Sequence, residues 1–348
     1  MFPEVIHLGG EHCVTGSCHL VRANELNILV DCGSAQGGDF VAPMEEWPVP
    51  PAEVDFLFLT HAHIDHIGRV PELIQKGFRG EIVTTEPTRL LLRPMLEDAM
   101  GFLRLSEREI RDLSKKIDDL SWDFEYGKRF ELRNGVRFKL GRTGHILGSC
   151  FIRFEDEERS WSVVFSGDLG ATDTPLLPDP DIPEPCDLLI LESTYGDTIH
   201  EDRSRRAERL GRVLERALRD GGKVFVPAFA LGRSQELIYE MDRLFSGSGQ
   251  GMRKVPVFLD SPLGLEVTKI YSKLRGFWDK EAKELLARGD DPLDFERLYG
   301  VGDFRAHQKL LEKEGPAVII AESGMCWFTG ILGQGKRWLK GWEERVQP

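Results

Sequence analysis

No apolar run in this chain approaches the roughly 20 residues that a membrane-spanning helix needs, so no membrane anchor is expected. The amino terminus, MFPEVIHLGG, has neither a basic stretch nor an apolar core, which argues against a signal peptide. Basic residues are outnumbered: 45 Lys and Arg face 58 Asp and Glu, for a net charge of −13. That balance argues against a general cationic coat for nucleic acid. It leaves room for a local basic groove, because binding follows the local field rather than the sum. Cysteine is sparse: Cys13, Cys18, Cys32, Cys150, Cys186 and Cys326 are scattered, with no C-x-x-C pair. A zinc ribbon is therefore not expected, and reduced thiols of a cytoplasmic protein are the reading. Internal repeats and low-complexity tracts are lacking too. What remains is a globular composition, 41% hydrophobic and 30% charged. Its 348 residues suffice for two domains, or for one large domain with an insertion.

Short apolar runs bounded by Gly, Pro or Asp recur at Asn27–Val30, Phe56–Leu59, Glu81–Val83, Ser162–Phe165 and Leu188–Leu191. Each reads as a buried strand. Several end in a polar cluster: Asp31, Thr60-His61, Ser166-Gly167-Asp168 and Glu192-Ser193-Thr194. Strands that deliver polar residues at their ends are what an α/β site requires. Pro87 to Leu120 has a helical pattern, and a second helix is expected over Ser204–Leu218, with Leu210, Val213, Leu214, Ala217 and Leu218 on one face. A fresh alternation follows: strand Lys223–Val226, helix Ser234–Phe245, strand Val257–Leu259 and helix Leu265–Leu274. Ser246–Gly251 reads as a surface loop. Strand Ala317–Ala321 comes after an irregular, charged stretch.

The chain has nine histidines, and three of them fall in Thr60-His-Ala-His-Ile-Asp-His66. Neutral imidazole nitrogen and carboxylate oxygen are good zinc ligands. A lone histidine is ordinarily a surface or satisfied core residue, but this spacing directly after an apolar strand is a different matter. His61 and His63 lie two apart and point the same way in an extended segment, while Asp65 and His66 turn toward a second position as a helix begins. One segment can thus serve two adjacent metals. Each metal needs three or four ligands, so remote partners are required. His145 in Thr-Gly-His-Ile-Leu-Gly-Ser and Asp168 in Ser-Gly-Asp-Leu-Gly are the candidates. An Asp in a glycine turn is by itself more often a turn former; the neighbouring motifs reverse that weighting. A carboxylate at a strand end can bridge two cations.

His-Ala-His-Ile-Asp-His, Thr-Gly-His145 and Ser-Gly-Asp168 resemble the metal motifs of the metallo-β-lactamase superfamily. Asp31 in Leu-Val-Asp-Cys-Gly resembles its first motif, an acid that supports the site through a ligand. Leu-Glu192-Ser-Thr-Tyr-Gly, Val-Pro-Ala-Phe-Ala-Leu-Gly-Arg233-Ser-Gln-Glu236, Phe-Leu-Asp260-Ser-Pro-Leu-Gly and Ile-Ile-Ala-Glu-Ser323-Gly-Met resemble the β-CASP subgroup of RNA- and DNA-processing nucleases. The resemblance covers roughly residues 5–326. It implies an αββα metallo-β-lactamase sandwich over residues 1–199, an inserted α/β β-CASP domain over 200–326, and a divergent tail over 327–348. It further implies that His61, His63 and His145 hold one zinc ion, that Asp65 and His66 hold another, and that Asp168 bridges them. Asp65, Asp168 and Glu192 would be the catalytic acids. The reaction implied is two-metal hydrolysis of a phosphodiester, with cations about 3.5–4 Å apart.

The tail departs from the family, in which two further histidines follow; here none follows His307, and Trp327, Trp338 and Trp342 crowd the last residues. We read this as a truncated or frame-shifted ending, with a natural short variant as the alternative. A weakened second zinc site is the expected consequence. The seven arginines of Arg203–Arg219 read as a solvated helix face. Arg233, Ser261 and Ser323 are the expected phosphate contacts, each in a strand-to-helix turn, while Leu231 and Ile146 are expected to pack. The leading expectation is a cytoplasmic RNA-cleaving hydrolase acting on single-stranded RNA, away from membranes, with a homodimer as one assembly to test. Two alternatives stand beside it: a hydrolase of a small ester or thioester, and an inactive RNA-binding remnant.

Overall fold

The computed structural model describes residues 2–200, 202–247 and 255–322. The chain divides into two compact units. One is Met1–His200 with Lys273–Glu284; the other is Glu201–Ser272 with the described residues from Leu285 on.

The first unit is a sandwich of two sheets. One sheet runs in the order β1 (Glu4–Gly9), β2 (Cys18–Ala23), β3 (Leu26–Val30), β4 (Phe56–Phe58), β5 (Glu81–Thr84), β6 (Ser121–Asp123). It is antiparallel from β1 to β3 and parallel from β3 to β6. Between β4 and β6 the chain forms α1 (Ile64–Ile67), α2 (Val70–Gln75), α3 (Glu86–Gly101) and α4 (Glu107–Leu120). The expected helix over 87–120 is thus two helices. Ser106 breaks it, because its side chain and that of Glu109 form a reciprocal capping box that starts α4 afresh.

The second sheet comprises β7 (Arg129–Glu131), β8 (Arg137–Arg142), β9 (Cys150–Asp156), β10 (Trp161–Phe165) and β11 (Leu188–Ile190), in the order β11-β10-β9-β8-β7. Neighbours are antiparallel except β10 and β11. The inner faces of the two sheets share one apolar core. Phe58 on β4 meets Phe138 on β8 and Phe154 on β9 edge-on, at 5.0 and 4.8 Å between ring centres. Alternation along each strand puts these rings inward. The expected buried strand over 188–191 is instead a short edge strand: Leu189 and Leu191 are 47% and 56% exposed.

The second unit holds α5 (Arg206–Ala217), β12 (Lys223–Ala228), α6 (Arg233–Gly247), β13 (Val257–Asp260), α7 (Pro262–Lys273), the last residues of α8 (Lys280–Ala287, whose first five residues belong to the first unit), β14 (Leu298–Val301), α9 (Phe304–Glu312) and β15 (Ala317–Glu322). The chain passes back through the first unit between α7 and the end of α8. The four strands form a parallel sheet in the order β12-β15-β13-β14. The stretch read as irregular therefore holds α8, β14 and α9; Asp303 caps α9 by accepting from the Ala306 amide. Helix α5 buries only Gly211 and Leu214, and Val213 is half exposed, so the expected five-residue apolar face is wider than the face that packs. Arg205, which precedes it, and Arg212 pair with Glu208, and Arg206 pairs with Glu240 on α6. Of the loop expected at 246–251, Ser246 and Gly247 close α6 and the rest lies outside the described residues. No helix among the described residues is long and apolar enough to cross a membrane.

Gly33 decides how closely β3 approaches α1. A Cβ at this position would lie 1.6 Å from the Asp65 carbonyl oxygen, so either the strand end or the helix start must move. Gly33→Ala is expected to cost on the order of 1–3 kcal/mol, read from the urea midpoint. An unchanged midpoint would mean that the two segments are not held together as described.

Candidate metal centre

Five strands of the first unit end at one rim of the sandwich, because β3 and β4 run parallel and β8, β10 and β11 share one direction. Asp31 follows β3. Thr60 and His61 follow β4, His63 caps α1, and Asp65 and His66 lie within α1. His145 sits in the β8–β9 connection, Asp168 follows β10 and Glu192 follows β11. Strand direction brings these side chains together from distant parts of the sequence.

Two ligand sets form. His61, His63, His145 and Asp168 present atoms within 4.8 Å of one another, and so do Asp65, His66 and Asp168. The ring nitrogens crowd: His61 Nε2 and His145 Nε2 each lie 3.1 Å from His63 Nδ1. Asp168 faces both sets. Its Oδ2 lies 3.5 Å from His145 Nε2 and 3.8 Å from His61 Nε2, while Oδ1 lies 3.2 Å from His66 Nε2. Asp65 Oδ2 lies 3.9 Å from His66 Nε2.

Asp31 organises this arrangement from behind. Its carboxylate accepts from the Thr60 amide at 2.9 Å, the Thr60 hydroxyl at 3.0 Å, the Ser17 hydroxyl at 3.1 Å and His66 Nδ1 at 2.7 Å. With Nδ1 thus engaged, His66 Nε2 keeps a lone pair for the site. Asp31 is fully buried with φ +60°, a backbone state that costs about 1–3 kcal/mol and persists where surrounding contacts enforce it. At the opposite wall, the Glu192 carboxylate accepts from the Leu169 amide at 2.9 Å and the Thr194 amide at 3.2 Å.

The electrostatics suit cations. Burial alone would push the His66 imidazole down, yet Asp31 and Asp168 on either side hold it well above its ordinary value. Burial likewise opposes ionisation of Asp168, but His66, His145 and His63 hold its carboxyl at about 2. Burial, then the neighbouring imidazoles, push His61 well down. Converging lone pairs backed by carboxylates are the donor set of a metal site, so the residues present fit a metal ion.

Two polar residues reach the site without belonging to any of its motifs. They are Ser17 and His19, which line the cavity beside His7, Glu11 and His12, and the only sequence signal for the pair is its alternation after Gly16. Ser261 is 2% exposed: its hydroxyl donates to Glu322 Oε2 at 2.5 Å and accepts from the Gly264 amide, so it closes the turn into α7 rather than facing a ligand. Arg233 is exposed and pairs with Glu236 at 2.6 Å. The turn before it is held by Gln235, whose amide donates to the Ala230 carbonyl and whose oxygen accepts from Gly232. Leu231 and Ile146 are buried. Ser323 lies outside the described residues.

His19 supplies a pH-dependent prediction. Burial lowers its pKa to about 4, aided by His7 and His66 and opposed by Asp31. Between pH 6.5 and 4 the unfolded chain binds a proton that folded His19 refuses, so stability falls as pH falls. His61 acts in the same sense, whereas His66, being raised, acts above pH 6.5. Metal-free protein should lose thermal stability from about pH 6.5 to 4.5, and His19→Gln should show a shallower decline. Equal slopes would contradict the burial of a neutral imidazole.

Residues 13–228 match the metallo-beta-lactamase superfamily and residues 234–343 match the Beta-Casp domain. The chain is 34% identical to a ribonuclease of Thermus thermophilus, over 94% of this chain and 74% of that protein. It is 31% identical to transcription termination factor FttA of Methanocaldococcus jannaschii, over 92% of this chain and 52% of the factor. It is 28% identical to endoribonuclease ysh1 of Schizosaccharomyces pombe, over 92% and 42% respectively. The chain thus spans only about half, or less, of the latter two. With both domains matched in order and the His/Asp cluster at the sandwich rim, the chain belongs to the metallo-beta-lactamase superfamily and carries a Beta-Casp domain.

Proposed function

We propose that this chain is a two-zinc hydrolase that cleaves phosphodiester bonds of single-stranded RNA. The observation that carries the reading is Asp168, whose two carboxylate oxygens face two separate ligand sets at one strand end. A small-molecule hydrolase does not need the second unit, and relatives named as ribonuclease and endoribonuclease align with 94% and 92% of this chain. On this reading His61, His63 and His145 hold one zinc, Asp65 and His66 hold the other, and Asp168 bridges. When bound, the metals supply Lewis acidity at the phosphoryl oxygens. The chain's own acids then act in fixed places. Asp65 and Asp168 would hold the ions that activate the attacking water, and Glu192, clamped by two backbone amides, would help to position the acid that protonates the leaving group. Cytoplasmic location and self-association into a homodimer belong to the same proposal.

The site opens into a cavity of about 540 Å3, lined among others by Asp168, Glu192, His66 and His12. That size also suits a small ligand, which favours hydrolysis of a small ester or thioester as the second reading. A ribonuclease assay with and without chelator, beside an ester assay, separates the two. Chelation should abolish RNA cleavage, and zinc should restore it. His63→Ala should bind one zinc fewer and lose activity; an unaltered zinc content in that variant would remove the ligand assignment.

The acidic chain repels RNA over most of its surface, so attraction must come from local groups. Arg233, exposed at the start of α6, is one. Binding of single-stranded RNA should fall steeply with salt, and Arg233→Ala should reduce the salt slope by about one while leaving zinc content unchanged. Affinity that is indifferent to salt, or equal for duplex and single strand, would move the small-substrate reading ahead.

A further inference from the structure

Cross-strand register makes His7 and His19 partners on β1 and β2, and it makes His19 the neighbour of Val30, one residue before Asp31. His19 Nδ1 lies 2.9 Å from His7 Nδ1, and His19 Nε2 lies 3.5 Å from Ser17 Oγ. The His19 ring stacks on Phe165, 27° from parallel. Ser17 is pinned at its backbone, its amide donating to the Asp65 carbonyl and its carbonyl accepting from the Gly33 amide. Its hydroxyl reaches Asp31, which holds His66.

Proton directions along this chain follow from chemistry. The Asp31 carboxylate only accepts, so the single Ser17 hydroxyl proton goes to Asp31. Ser17 Oγ is then the acceptor for His19, which must carry its proton on Nε2. His19 Nδ1 is left with a lone pair, so His7 donates to it. At the other end, His66 donates Nδ1–H to Asp31 and presents Nε2 to the site. Four side chains thus run from the exposed His7 to a proposed ligand, each fixing the tautomer or rotamer of the next. Ser17, His19, Asp31 and His66 line the same cavity.

We propose that His19 and Ser17 are positioning residues for the second metal: by donating to Ser17, His19 aims the Ser17 hydroxyl at Asp31 and so holds His66 with Nε2 free. The inference rests on the two-metal reading. Outer hydrogen-bond partners of this kind change metal affinity about 10–100-fold.

The test is a Co2+ titration of the full chain, followed by the visible absorption of the bound ion and by competition with a chromophoric chelator. His19→Phe keeps the ring against Phe165 and removes the donor; His19→Gln restores an amide donor; Ser17→Ala removes the middle link. We expect His19→Phe and Ser17→Ala each to weaken the second ion about 10-fold while the first is unchanged. We expect His19→Gln to bind both within about threefold of the parent, which a merely structural loss would not allow. If the parent binds two ions and His19→Phe binds them equally well, the inference is overturned. It is overturned as well if Ser17→Ala is silent or if Gln fails to rescue. If the parent itself binds one ion, the two-metal reading fails instead.

Discussion

The buried carboxylate of Asp31 is the constraint on which the rest of this site depends. It accepts from four groups drawn from three separate segments: Ser17 before β2, Thr60 after β4, and His66 in α1. A buried carboxylate without such partners would be costly; with them it becomes a fixed point that ties the strand ends together. The left-handed backbone at Asp31 shows the tension in that arrangement. The strand must turn sharply to aim the carboxylate inward, and Gly33 two residues on permits α1 to lie against the turn. Backbone strain, close packing and ligand orientation are here one linked feature.

Charge explains why the cluster converges. His61 is driven toward neutrality by burial, whereas His66 is drawn the other way by two carboxylates. Two imidazoles of one short segment therefore have opposite tendencies, set by their surroundings. The first offers a lone pair because burial disfavours its charged form. The second has its outer nitrogen occupied by Asp31, so only the inner one faces the site. Asp168 is held ionised at about 2 by three imidazoles. It is the acid best placed to share its oxygens between the two sets.

The site is more legible in the sequence than the fold around it. His61, His63, Asp65 and His66 declare themselves because the information is local: an apolar strand, then alternating donors, then a helix start. Asp31, His145 and Asp168 are reachable through short glycine-containing motifs at strand ends. Ser17 and His19 are not, because their role is created by the pairing of β1 with β2 and by the register of β2 on β3, which no short window contains. Strand β8 alternates apolar and charged residues, as in Arg137-Phe-Lys-Leu, and the apolar start of β9 is cut short by Arg153, so a search for continuous apolar runs does not find them. Helices α8 and α9 are hidden by their charge, since only Ala282 and Leu310 are buried on them. Ser261 has a structural use that its motif does not announce. A serine in a strand-to-helix turn has the right chemistry for a phosphate, but its hydroxyl is consumed by Glu322 and Gly264.

On the proposed reading, the sign of the site's charge orders the events of the reaction. Asp31, Asp65, Asp168 and Glu192 gather at one rim of a chain whose net charge is −13. Without cations this rim repels a phosphodiester, and the chain at large adds to the repulsion. Metal ions held by His61, His63, His145, Asp65, His66 and Asp168 would add positive charge at the rim and would reverse that repulsion. Metal binding must therefore come before productive RNA binding, and the acids that make the site hostile to RNA are the ones that make it hospitable to metal. Cationic residues in the second unit, such as Arg233, can capture the strand elsewhere; they cannot substitute for that reversal at the scissile phosphate.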